Sequence, residues 1–136
     1  VVEALRGTGF MFFTFTGNEA SCAAGAKVLE IMRREQLVER AATVGAVLGQ
    51  RLRDEFAGHP AVIDVRGRGM FYGLELACNK DAVVAAALAR DLWVYPAGSG
   101  PVRDAVMVAP PFVITAAEIE QLVATVRAAI DAVHAA

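Results

Sequence analysis

The chain has 136 residues, of which 56% are apolar and 21% charged, with a formal net charge of -2. That is enough apolar material for a core and too much for disorder, and the charge excludes the footprint of a nucleic-acid binder. No run of about twenty apolar residues and no basic stretch followed by an apolar one is present, so neither a membrane-spanning helix nor a secretory signal is expected in this sequence.

Residues 1–6 read as the interior of a short helix closed by Gly7-Thr8-Gly9, with no initiator methionine, so the chain is expected to be a fragment or an excised domain. Phe10-Met11-Phe12-Phe13 is too short for most helices and reads as strand or buried loop. Four bulky apolar residues in a row are expected to be covered by another domain or subunit. Next comes Thr14-Phe15-Thr16-Gly17-Asn18, a hydroxyl-rich turn with Asn18 or Thr16 as N-cap, leading into the small-residue helix that carries Cys22-Ala23-Ala24-Gly25. Free amides at such a helix start favour an anion.

The helical pattern runs from Glu19 to about Arg34, with Cys22, Ala26, Leu29 and Ile31-Met32 on one stripe and an i,i+4 pair between Glu30 and Arg34. The pattern shifts at Glu35-Gln36 and resumes as Leu37, Ala41, Val44, Leu48, Leu52 and Phe56, ending at Gly58-His59-Pro60. One bent helix and two abutting helices both satisfy this pattern. Beyond Pro60 the period becomes two. Ala61–Val65 is a strand, Arg66-Gly67-Arg68-Gly69 a turn, and Met70–Leu76 the return strand, with Met70, Tyr72, Leu74 and Leu76 on one face. Gly73, in that strand, admits a close neighbour.

Asn79 caps a helix through Arg90, and Leu92-Trp93-Val94-Tyr95 is a short strand closed by Pro96. Ala97–Pro101 is a loop and Ala105–Ala109 a strand stopped by Pro110-Pro111. Thr115 and Glu118 form a capping box for a last helix whose apolar face is Ile119, Leu122-Val123, Val126, Ile130 and Val133. The order strand, strand, helix, strand, strand, helix predicts an α+β fold, a small, largely antiparallel sheet with helices on one side.

Local chemical signals are sparse. Gly67-Arg68-Gly69 and Gly98-Ser99-Gly100 lack the strand–loop–helix setting of a phosphate loop and read as turns. His59 and His134 have no second metal ligand at useful spacing, and Ser99 no accompanying His and acid. Trp93 and Tyr95 read as core or cleft lining. Cys22 and Cys78 read as reduced, buried small residues in a cytoplasmic protein.

Taken together, the Thr14–Asn18 turn with its Cys-Ala-Ala helix, Asp64-Val65-Arg66-Gly67-Arg68-Gly69-Met70, Gly73-Leu74-Glu75-Leu76 and Ala109–Thr115 stand in an order and spacing that resemble the carboxy-terminal third of class III aminotransferases, which are fold-type-I, pyridoxal-phosphate-dependent enzymes. The resemblance implies the small C-terminal domain of such an enzyme, preceded by a long connecting helix. Residues 1–18 would be the tail of the large cofactor-binding domain, 19–57 the connecting helices and 58–136 the small domain. It implies a homodimer, assembled through the N-terminal stretch, that moves an amino group between an amine or amino acid and a keto acid.

Thr14 would bind the phosphate of the neighbouring subunit's pyridoxal 5'-phosphate, and Phe13 would lie near substrate. The family often has His-Gly just upstream of that threonine, whereas this chain has Met11-Phe12, which implies a more apolar entrance. Positions where the family often carries a carboxylate-clamping arginine match Tyr95 and Met107 here. Arg103 and Arg68 remain for such a role, though Arg68 reads first as a solvated turn residue. The family's Schiff-base lysine has no counterpart in this segment. Lys27 and Lys80 are the only lysines, and both read as solvated. The segment alone is therefore expected to be inactive and to hold no catalytic residue. A non-catalytic α+β module for ligand binding or dimerisation is the alternative.

Overall fold

A computed structural model describes residues 17–135. The predicted helix over 1–6, the Phe10–Phe13 run, Thr16 and the two site candidates Phe13 and Thr14 lie outside the described residues. The chain divides into two compact units, Val1–Glu35 and Gln36–Ala136.

In the first unit, Gly17 turns the backbone at φ 81 and Asn18 caps helix α1 (Glu19–Arg34), its side-chain oxygen accepting the Ser21 amide at 2.9 Å. This matches the motif at which the sequence places a helix start. Glu30 pairs with Lys27 at 2.8 Å rather than with the predicted Arg34, whose guanidinium turns to Glu35 at 2.6 Å. Both pairs are exposed and contribute little to stability. No residue of α1 is buried, and Cys22, expected inside, is exposed.

The helical pattern is interrupted at Gln36, which takes a left-handed conformation (φ 49) before α2 (Leu37–Glu55). Of the two possibilities left open by the sequence, the structure has two separate helices.

The second unit continues with β1 (Val62–Arg68), β2 (Phe71–Leu76), α3 (Lys80–Leu88), β3 (Tyr95–Ser99), β4 (Val102–Val108) and α4 (Ala116–His134). The four strands form one sheet in the order β1-β2-β4-β3, every neighbouring pair antiparallel. Because β4 separates them, β2 and β3 run in the same direction. Helix α3 therefore makes a crossover between them.

Helices α2, α3 and α4 cover one face of the sheet, as the α+β pattern predicts. Tyr72, Leu74, Leu76, Val106 and Val108 point into this layer and meet Leu48, Leu52, Val83, Val123 and Ile130, all at 4% exposure or less. Full burial of each large aliphatic chain contributes about 1.5–3 kcal/mol.

Two glycines on α2 set how closely that helix approaches the sheet. A Cβ on Gly45 would stand 2.2 Å from the Gly69 carbonyl oxygen, and one on Gly49 would stand 2.0 Å from the Tyr72 hydroxyl. The Tyr72 hydroxyl donates to the Gly45 carbonyl at 3.0 Å, so the buried phenol is satisfied by the backbone it touches.

Polar links fasten the helical layer at its margins. His59, 7% exposed, places Nε2 2.8 Å from Asp131 Oδ1, and its Nδ1 accepts the Ala61 amide at 3.1 Å. Arg40 on α2 donates to the carbonyls of Phe112 (2.6 Å) and Ile114 (2.7 Å), holding the segment between β4 and α4. Thr115 and Glu118 form the predicted capping box.

The third strand differs from expectation. The sequence places it at 92–95 and ends it at Pro96, but β3 starts at Tyr95 and contains Pro96. The Leu92 amide is engaged by the Ala87 carbonyl, closing α3 through Asp91 at φ 59, which keeps 92–94 out of the sheet. Pro96 is tolerated because β3 is an edge strand. The predicted loop over 97–101 shrinks accordingly to a turn at Gly100-Pro101, and β4 begins at Val102. Likewise β1 runs on to Arg68, moving the predicted turn to Gly69-Met70, and α3 stops at Leu88.

Candidate active-site face

The sheet face opposite the helices carries the site candidates of the second unit. Strand register aligns Arg66 with Gly73, Gly73 with Met107, and Met107 with Tyr95, so these four residues form one row across all four strands. The neighbouring row is Asp64, Glu75, Ala105 and Ala97. Side chains alternate along a strand, so both rows share this face while Val65, Leu74 and Val106 point to the core.

Tyr95 is 57% exposed and Phe71, at the end of β2, 58%. Tyr95 and Met107, singled out separately from the sequence, are thus direct cross-strand neighbours. Arg103 occupies the same alternation on β4, two steps beyond Met107, and is exposed. Its carbonyl accepts Lys80 Nζ at 2.8 Å, and adjacent Asp104 accepts the Lys80 amide at 3.0 Å, tying the start of α3 to β4. Among the described residues neither Arg103 nor Arg68 forms an ion pair within 4.0 Å.

Arg66 is engaged where the sequence suggested only a turn residue. Its Nη1 is shared by Glu75 Oε2 (2.8 Å) and Asp64 Oδ2. The hydrogen bonds that the guanidinium donates to Glu75 and then to Asp64 push its pKa up further, so its charge is already matched by two carboxylates. Gly73, Phe71 and Arg66 are members of this face that the sequence did not assign to it. The signal was available as the complement of the Met70-Tyr72-Leu74-Leu76 alternation.

Other candidates fall elsewhere. Lys27 is bonded to Glu30 on α1, and Lys80 to backbone at the start of α3. Trp93, 65% exposed, precedes β3 and lines a groove of about 740 Å³ with Pro110, Pro111 and Leu122. Cys78 is half-buried, and burial followed by the nearby Asp104 charge pushes its thiol pKa up, which disfavours the thiolate. Among the described residues no group of three His, Cys, Asp or Glu side chains gathers at metal-binding distance. No helix among them is long and apolar enough to cross a membrane.

A four-stranded antiparallel sheet with helices on one face and an open face on the other is the arrangement of the small α+β domain of a fold-type-I aminotransferase. The chain belongs to the class III aminotransferase family, whose model matches residues 3–130. It is 36% identical to an uncharacterized aminotransferase of Schizosaccharomyces pombe, over 92% of this chain and 31% of that protein. It is also 36% identical to the diaminobutyrate–2-oxoglutarate transaminase of Halomonas elongata, over 89% and 28%. Among solved structures it is similar to a Bacillus anthracis aminotransferase, with a TM-score of 0.79 and 34% identity over 96% of this chain and 33% of that one. The chain thus spans about a third of the length of the relatives it matches.

Proposed function

We propose that this chain is the C-terminal portion of a pyridoxal-phosphate-dependent aminotransferase that transfers an amino group between an amine or amino acid and a keto acid. The observation that carries the proposal is the family match over residues 3–130. The names of two relatives, one acting on diaminobutyrate and 2-oxoglutarate and the other on acetylornithine, support a donor and acceptor of these classes. The non-catalytic alternative has no observation in its favour.

In this reading residues 1–18 end the large domain, 19–57 connect, and 58–136 form the small domain of a cytoplasmic homodimer. Thr14 is assigned to the phosphate of the partner's cofactor. The donor set suits it: a threonine hydroxyl shortly before a capped helix start is a good phosphate partner, although Glu19 in the first turn of α1 opposes an anion there. The cofactor, when bound, supplies the electron sink that the reaction needs. This chain's own part is to contribute the phosphate hydroxyl and to form the wall that receives substrate, with Phe13, Tyr95 and Arg103 as its substrate-facing residues. Lys27 bonds to Glu30 and Lys80 to the Arg103 carbonyl, which supports the reading that the chain by itself is inactive.

Thr14→Ala in the complete enzyme tests the assignment. Cofactor retention on dialysis is expected to fall about tenfold, the loss of one charge-assisted hydrogen bond, while the melting midpoint of the apoprotein stays in place. An unchanged cofactor affinity would remove Thr14 from the site.

A further inference from the structure

We draw no further inference here: the strongest candidate, the cleft of about 600 Å³ between α2 and the β1–β2 turn that Arg53 and Arg68 border, carries nothing, because strand alternation sets the Arg68 side chain with Phe71 on the opposite face of the sheet and nothing in the structure shows what covers the cleft.

Discussion

Helices α1 and α2 have similar apolar stripes and different fates. Over its 16 residues α1 buries none, and Val28 and Leu29 are more than half exposed. Over its 19 residues α2 buries Gly45, Leu48, Gly49 and Leu52. Periodicity establishes that a helix has an apolar side, but burial depends on a complementary surface being available. In α2 that surface is the sheet, and two glycines together with the Tyr72 hydroxyl bring it close.

The contrast predicts a large asymmetry between two leucines. Leu48→Ala should destabilise the second unit by about 2–5 kcal/mol, the range for a fully buried leucine, whereas Leu29→Ala should leave its urea midpoint within about 0.5 kcal/mol of native. Equal losses would mean that the α1 stripe is as fully packed as that of α2.

A second substitution separates apolar packing on α2 from its polar fastening. Arg40→Ala removes the two bonds to the Phe112 and Ile114 carbonyls and should cost about 2 kcal/mol. Trp93, the single tryptophan, borders the groove formed by the same segment, so its emission should shift as that segment loosens. An unchanged spectrum and an unchanged midpoint would show that Arg40 fastens nothing.

The smallest expected effect concerns acid. The His59 hydrogen bond, followed by that of Arg127, holds the Asp131 carboxyl below its ordinary value of 3.8, against an opposing contribution from burial. Glu118 and Glu120 are lowered in the same sense by Thr115 and Arg51. A depressed carboxyl pKa means that the unfolded chain binds more protons. This stability is therefore present above the unfolded value and lost as pH falls through the folded one. Thermal melts between about pH 5 and pH 2 should show a shallower acid limb for Asp131→Asn than for the native chain. Identical limbs would exclude the His59–Asp131 link from the acid response.

Much of this fold is legible in the amino-acid order because its signals are local. The Asn18 and Asn79 caps, the Thr115–Glu118 box and the alternation from Met70 to Leu76 each depend on a few neighbouring residues, and each forms where it is expected. The third strand departs from its predicted position for the opposite reason. Trp93 has strand character, but the closure of α3 by the Leu92 amide withholds 92–94, and the position of β3 at the sheet edge admits Pro96. Of the candidate site, the sequence singled out Tyr95, Met107 and Arg103 one by one. It had no means of joining them, because register is a relation between strands and has no local signature.

The order of residues alone determined the caps, the helical and strand periods, the α+β class and the family resemblance, since all of these are written in short-range spacing and chain order. The tertiary structure alone decided that Arg66, Gly73, Met107 and Tyr95 stand in one row, that Arg66 is paired there with Asp64 and Glu75, and that α2 packs on the sheet. Those outcomes depend on which surfaces meet. Residues tens of positions apart must first be brought into contact before their charges cancel or their side chains leave water.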